Sequence, residues 1–521
     1  MTNSKKKLSA DNAVTIENLS YSDLMRFEAN DFGNAKRFLK FVDGKALYDS
    51  ASSKWFIFES GRWKPDNERK ERVHKLADGF YSFLVNGLRE EYQCLESYGV
   101  DPLEGTSRDI DYTDVNEDQQ SEIHALLKQC KRDRQIILKL GNHSCQNRVI
   151  RSAEAQSVDD RIELNPSNHL LVVANGTVDL KTGKLSDHSQ SHLSTMCAPV
   201  SYNPKAKTPK RFLKFLKEIF DGNESLINYV HRLLGYCLTG ETSEQEFYIL
   251  YGSGGNGKNV LIDLIKRILG EYCSEISSGA LAHRIDGDKP NPTLLQAKDC
   301  RIIIANESEK GARLNTSLIK QISAGNEICP RALFKDNEHF LPHMKILWAT
   351  NNIPEIDWGD RAMERRFKLI TFPVFVAGEN RDKQLPDILW KEREEILKWL
   401  IQGAVSYYKN GMAEVPEIML EAMDRERVNA DSVLHFFKKM VVPTGDLSNQ
   451  YKAHPVYDMY KKTCTEKWHV EPVSEKTFGL KFLNVCKGTP IIKKRQGSGY
   501  RYYGLKLLPV DADSKVTAET A

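Results

Sequence analysis

Residues 246–259, EFYILYGSGGNGKN, constrain the fold more than any other stretch of the chain. Phe247 to Tyr251 is an apolar run bounded by charge and glycine, which predicts a buried strand. Gly252, Ser253, Gly254, Gly255, Asn256 and Gly257 follow as a glycine-rich turn. Lys258 then opens VLIDLIKRIL, whose apolar spacing is helical. Strand, loop, lysine and helix in that order make the phosphate-binding pattern G-x-x-x-x-G-K-S/T. Glycines let successive backbone N–H groups point into one concavity, and the helix N-terminus adds partial positive charge. Lys258 is placed to reach terminal phosphates as a point charge, a role that asks nothing of the core. Asn259 stands where Ser or Thr normally ligates Mg²⁺. An amide oxygen also ligates Mg²⁺, so Asn259 stays in the expected metal set, with weaker binding. The ligands expected are ATP, cradled by 252–259, and Mg²⁺.

A chain of 521 residues has room for roughly two to four domains, each with its own core. The net charge of +3 is too small to imply a nucleic-acid partner by itself. It is unevenly placed, however: residues 431–510 carry 14 Lys and Arg against 6 Asp and Glu, a net of +8. The ten cysteines include no C-x-x-C pair, which predicts reduced thiols in a cytoplasmic protein and neither a disulfide frame nor a zinc site. His143 and Cys145 have no partners at ligand spacing. No apolar run reaches the ~18 residues of a membrane span, and the N-terminal MTNSKKKLSADN lacks the apolar centre of a secretory signal.

Residues 1–20 are polar and read as a tail, and 21–205 as an α+β domain. KWFIFESGRWKP (54–65) predicts a hairpin turning at Ser60-Gly61. Glu68–Glu91 has helical spacing, with Val73, Leu76, Phe80, Phe83 and Leu84 on one face. A surface loop is expected over 101–122, helices near 121–141 and 143–156, then a strand, a turn at Asn175-Gly176 and a hairpin over 169–185. Trp55 and Trp63 are expected in the core. The region is expected to serve structure or oligomerisation. No carboxylate triad suited to nucleotide polymerisation is present.

Residues 206–410 read as the ATPase core, with apolar helical spacing over 209–239 leading into the loop strand. After the loop helix, 286–292 is a polar stretch. CRIIIANESEKG (300–311) predicts a second buried strand, adjacent to the first and ending at Asn306-Glu307. Glu307 is the candidate general base and metal-supporting acid, with Glu309 second. MKILWATNN (344–352) is a third strand, and Asn351 at its end is a candidate sensor of the γ-phosphate. Arg365 and Arg366 precede a further strand; either could neutralise transition-state charge on a neighbouring subunit's nucleotide. Between the second and third strands, 331–340 predicts a hairpin tipped by Lys335, a device of DNA-translocating rings. Lys320, Arg331 and Lys335 are the candidate DNA contacts.

Residues 411–430 are expected as a linker. In 431–510, helices near 431–442, 455–468 and 474–486 precede a basic hairpin over 491–508, the order of a winged helix. Its third helix would enter a major groove while Lys493, Lys494, Arg495 and Arg501 meet phosphates. Residues 511–521 read as a tail.

Taken together, these stretches resemble the superfamily 3 helicases of the AAA+ class, and more closely the helicase portion of phage and plasmid primase–helicases of the satellite-phage and poxvirus type. NGTVDLKTG (175–183), LLGYCLTG (233–240), GSGGNGKN (252–259), IIIANE (302–307), KQISAGNEICPR (320–331), WATNNIP (348–354) and DRAMERR (360–366) carry the resemblance in the family's order. It implies an α/β P-loop core in a homo-hexameric ring that hydrolyses ATP and moves 3′ to 5′ on single-stranded DNA. It further implies replication of a mobile element, contact with origin duplex, and a separate primase or host replication proteins as partners. In that comparison Lys258 is the Walker A lysine, Glu307 the Walker B acid, Asn351 the sensor, Arg365 or Arg366 the arginine finger, and Lys335 the pore contact. Ala324-Gly325-Asn326 departs from the family's frequent Gly-Gly-Asp. Priming activity is not expected. The competing readings are a DNA-binding initiator or loader ring without unwinding, and a P-loop kinase.

Overall fold

The computed structural model describes residues 19–106, 115–158, 162–282, 292–306, 313–329, 339–356, 358, 360–376, 382–497 and 499–509. The chain divides into two compact units, residues 1–179 with 184–202, and residues 180–183 with 203–521.

In the first unit, strands Ala46–Asp49, Lys54–Glu59 and Arg62–Pro65 form an antiparallel sheet in sequence order. The expected hairpin turns at Ser60 and Gly61, both left-handed at φ 51° and 79°. That pair of angles is what a two-residue turn between twisted strands requires. Helix Glu71–Glu91 buries Val73, Ala77, Phe80, Leu84 and Leu88. Helices Glu117–Leu140 and His143–Gln156 close the same core. The first of them begins inside the expected 101–122 loop. Asn116 and Gln119 form a reciprocal capping box there, so acidic residues counted as loop supply the first helical turn instead. Trp55 and Trp63 are both buried, and their indole N–H groups donate to Glu154 and to the Gln190 carbonyl. The 169–185 stretch forms strands Leu170–Val173, Gly176–Asp179 and Lys184–Ser186.

The second unit is built on five parallel strands: β1 (Phe247–Tyr251), β2 (Cys273–Ser277), β3 (Ile302–Asn306), β4 (Lys345–Thr350) and β5 (Phe367–Thr371). Their order is β2-β3-β4-β1-β5. The expected adjacency of the second apolar strand to the loop strand does not hold: β4 lies between β3 and β1. β2, too polar to stand out in sequence, forms one edge. β1 and β4 are covered on both faces, as parallel strands with helical crossovers must be. Helices α1 (Lys210–Ile219), α2 (Glu224–Cys237), α3 (Lys258–Leu269), α4 (Thr316–Ser323), α5 (Arg361–Arg366) and α6 (Arg393–Asn410) surround the sheet.

The LLGYCLTG stretch has a packing explanation. A Cβ on Gly235 of α2 would lie 2.1 Å from the backbone of Gly403 in α6, so the two helices meet with no side chain between them. His231 stacks on Trp399 across the same contact, ring centroids 4.1 Å apart. At the N-terminal ends of β3 and β4, the buried Arg301 donates to the Leu238 carbonyl and the buried Lys345 to that of Thr239. These cations satisfy carbonyls just past the end of α2 that have no helical partner. Burial pushes the Lys345 ammonium down to about 7.

The expected linker 411–430 is largely helical. α7 (Glu417–Ala430) buries Met419, Met423 and Val428, and Met423 joins the core of the sheet. Beyond it, α8 (Ser432–Met440), β6 (Gln450–Lys452), α9 (Ala453–Lys462), α10 (Glu475–Val485), β7 (Ile492–Gln496) and β8 (Gly499–Tyr503) share a separate core that includes Phe436, Tyr460, Phe478, Phe482 and Tyr502. Ser474 caps α10, as its position suggests. The hairpin β7–β8 gains a third strand, β6, in the order β6-β8-β7. The second helix of this region ends at Lys462, where a π-helical turn over Thr463–Trp468 replaces its expected last turns. No helix among the described residues is long and apolar enough to cross a membrane.

Candidate nucleotide site

The loop between β1 and α3 sits at the C-terminal edge of the sheet. Thr350 of β4 pairs with Tyr251 of β1, so the ends of both strands open at the same level. Gly257 precedes α3 with φ 78°, and a Cβ there would lie 2.4 Å from Ile219. A Cβ on Gly252 would fall 1.8 Å from Asn256 Nδ2. Gly257 is thus held to glycine by its backbone, and a side chain at Gly252 would displace the Asn256 amide.

Asn256 is 3% exposed. Its Oδ1 accepts the Lys258 backbone N–H at 3.3 Å, whereas Nδ2 has no hydrogen-bond partner among the described residues. A buried donor left unmade costs about 1–3 kcal/mol, which an acceptor entering the loop would recover. Lys258 is 4% exposed. Its ammonium donates to the Thr350 carbonyl at 2.8 Å, to Asn351 Oδ1 at 2.9 Å and to the Gly252 carbonyl at 3.4 Å. The structure thus joins the loop lysine to the strand-end amide expected to act with it. The polar groups converging on the loop (backbone N–H groups, the Asn256 amide and the ammonium) are predominantly donors. They fit a polyphosphate anion. Asn259 is exposed in the first turn of α3, open to a metal on the solvent side.

Three expected positions, Glu307, Arg331 and Lys335, lie outside the described residues, as does Glu309. The flanks of the expected pore hairpin are described. Ile328 and Phe340 exchange backbone hydrogen bonds of 3.0 and 3.1 Å, an antiparallel bridge. Asn306 ends β3 and donates to Glu275 of β2 at 2.8 Å. Lys320 is paired with Asp360, the N-cap of α5, and that bond holds the Asp360 carboxyl below its usual range.

The two arginines differ. Arg366 is buried and donates to Ser323 Oγ, the Ala362 carbonyl and Gln245 Oε1. Arg365 is exposed and donates to the same Gln245 oxygen at 2.9 Å. β5 runs parallel to β1 with Phe367 opposite Phe247, so the pair stands level with Glu246. At about 3.3 Å per residue that is roughly 20 Å from Gly252.

Sequence reasoning missed Gln245, which organises both arginines, and Glu364, which accepts ion pairs from Arg427 of α7 at 3.4 Å and Lys438 of α8 at 3.1 Å. Neither has a local signal, because their partners are more than 60 residues away in sequence. In the C-terminal region, Lys493 turns over the rings of Tyr500 and Tyr502, at 4.7 and 5.4 Å. Lys494 and Arg495 are exposed, and Arg501 donates to Gln450 at 3.0 Å.

The chain is similar to several known proteins. Residues 35–221 match the family described as D5 N terminal like, and residues 250–366 match a family of unknown function, DUF5906. A provisionally named helicase of Acanthamoeba polyphaga mimivirus is 26% identical over 447 residues, covering 80% of this chain and 44% of the relative. A provisionally named primase of African swine fever virus is 28% identical over 241 residues, covering 44% of this chain and 25% of the relative. A provisionally named helicase of Sputnik virophage is 22% identical over 275 residues, covering 47% and 35%. The chain therefore spans less than half the length of these relatives. Among solved structures, the apo NrS-1 C-terminal region (305–718) aligns at a TM-score of 0.36 and 14% identity, covering 59% of this chain and 78% of that one.

Proposed function

From a chain that carries the D5 N terminal like and DUF5906 domains and is homologous to viral proteins named for helicase and primase roles, we propose an ATP-driven DNA helicase of viral or mobile-element replication. The observation that carries the proposal is the contact between Lys258 and Asn351 at the edge of a parallel sheet ordered β2-β3-β4-β1-β5. That order, with a strand inserted between the loop strand and the strand leading to Glu307, supports an AAA+ core.

In this reading Lys258 binds the β- and γ-phosphate oxygens, and Asn256 Nδ2 supplies a further donor. Asn351, released from the ammonium, orients the attacking water, and Glu307 takes its proton. Asn259 and Glu307 would hold Mg²⁺, which would supply charge neutralisation on the transferred group. Arg365 serves a neighbouring subunit of a hexameric ring, because it is exposed and distant from its own loop, whereas Arg366 holds α5 in place. The basic C-terminal region, read as a winged helix, binds duplex DNA, and the motor moves 3′ to 5′ on one strand. The initiator or loader reading draws on Asn259 alone.

The test is ATP turnover with and without single-stranded DNA, coupled to unwinding of a forked substrate. DNA-stimulated turnover with unwinding is expected. Turnover without any response to DNA would sink the helicase reading, and unchanged turnover in Lys258→Ala would sink the site.

A further inference from the structure

The pleat of the C-terminal sheet sorts its cations by face. Tyr502 of β8 is 1% exposed and lies in the core, so the face it shares with its cross-strand partners Tyr451 and Lys493 points inward. The next residue, Arg501, points to the opposite face, because side chains alternate along a strand. Arg501 pairs with Lys452 of β6 on one side and Lys494 of β7 on the other. Lys452, Arg501 and Lys494 therefore form one row across all three strands, spanning about 10 Å at ~4.8 Å per strand. Lys452 and Lys494 are exposed and Arg501 half-buried.

Like charges directly opposite across strands destabilise a sheet. Here two such pairs share a central arginine, and none of the three cations forms an ion pair among the described residues. A face kept only for solubility mixes both signs; this row carries one. Its neighbours on that face are uncharged: Gln450, Gln496, Tyr503 and the apolar Ile492. Gln450 accepts from Arg501 and so fixes the guanidinium, while the Tyr503 hydroxyl donates to Gln496 at 2.9 Å.

We propose that this outer sheet face is a binding track for the phosphodiester backbone of DNA, with Lys452, Arg501 and Lys494 as its contacts and Lys493 not among them. The choice of ligand rests on the helicase reading above. The inference narrows that reading, which by itself leaves the DNA-binding surface to α10 and the hairpin as a whole. It also assigns a role to Lys452, which stands about 40 residues before the basic hairpin and becomes part of the row only through strand pairing.

The experiment measures binding of the full chain to a blunt duplex and to a single strand of equal length over a range of salt concentrations. Each phosphate contact contributes about 0.9 to the slope of log affinity against log salt on duplex, and about 0.7 on a single strand. The triple variant Lys452→Ala, Lys494→Ala, Arg501→Ala is expected to lose about two to three units of slope on duplex, and each single variant about one. Lys493→Ala is expected to keep the wild-type slope. A loss confined to the single strand would identify that form as the occupant of the same track. Wild-type slopes on both forms in the triple variant would overturn the proposal, as would a loss in Lys493→Ala equal to that in Lys494→Ala. The single variants preserve the test if the triple fails to fold. All five of these variants should retain DNA-independent ATP turnover. Lys258→Ala should retain the full salt slope, so failure of the motor reading and failure of this surface register in different assays.

Discussion

At the scale of single residues, Lys258 is both a ligand group and a structural one. Its sequence position suggests a side chain that serves phosphate alone and can be lost without cost to stability. The structure places it nearly buried, with three oxygen acceptors at the junction of β1 and β4. Lys258→Ala should therefore abolish ATP hydrolysis and also lower unliganded stability by about 1–2 kcal/mol, because the Thr350 carbonyl loses its charged donor. Turnover and urea unfolding of the same preparation check both parts. Asn259 is a simpler case. Its exposed amide replaces a hydroxyl, and Asn259→Ser should lower the Mg²⁺ concentration for half-maximal hydrolysis. An unchanged requirement would mean that Asn259 serves the metal equally well or that the metal is held elsewhere. His435 sets a pH dependence. Burial against Trp468 pulls its imidazole down to about 4 from an ordinary value near 6.5. The unfolded chain thus takes up this proton first as pH falls. Stability is full above about 6.5 and declines toward about 4, by up to roughly 3 kcal/mol. The urea midpoint should fall less between neutral pH and about pH 4.5 in His435→Gln than in the wild type.

At the scale of elements, the close contact of α2 and α6 makes a sharper prediction than any surface feature. Gly235→Ala puts a methyl group 2.1 Å from backbone that has no side chain to move aside. The helices must separate, and a loss of about 1–3 kcal/mol or more is expected in urea unfolding. A wild-type midpoint would show that the contact is slack. The same pair illustrates what the sequence made legible. The apolar spacing over 209–239 announces helices, and LLGYCLTG stands out as a motif, but only the crossing of α2 over Gly403 explains why Gly235 cannot carry a side chain. The loop strand, its helix and the strands ending at Asn306 and Thr350 were readable because each is a continuous apolar run closed by a polar residue. β2 and β6 were not, since strands of mixed polarity are defined by their partners and not by a pattern of their own. The supposed linker failed for a related reason. α7 is only weakly amphipathic, and its helix is secured by Met423 reaching a distant core. Glu364 belongs to this class of hidden feature. Immediately before Arg365 in the chain, it ties α5 to α7 and α8 through Arg427 and Lys438. Lys438 also reaches the Trp358 carbonyl at 2.9 Å.

At the scale of the whole molecule, the distance between Arg365 and its own phosphate-binding loop decides how catalysis must be organised. The two stand at opposite ends of adjacent parallel strands, roughly 20 Å apart along the sheet. No side-chain rotation closes that gap, since an arginine reaches only about a third of it. If Arg365 stabilises a transition state, it does so on a second copy of the chain. Two inactive variants then become complementary. Lys258→Ala lacks a functional loop but presents a sound arginine; Arg365→Ala lacks the arginine but keeps a sound loop. In a closed ring of heterologous contacts assembled from an equal mixture, about one interface in four joins the sound loop of one variant to the sound arginine of the other. The mixture should hydrolyse ATP well above the sum of its separate components, with the gain appearing only after subunits have exchanged. Arg366→Ala should not behave in this way. Its guanidinium is buried among Ser323, Ala362 and Gln245, so its loss should loosen α5 and lower stability in every mixture. Mixing the two variants at several ratios and measuring turnover after co-incubation separates the possibilities. Additive rates at all ratios would confine Arg365 to a structural role and remove the argument for a ring from this part of the site.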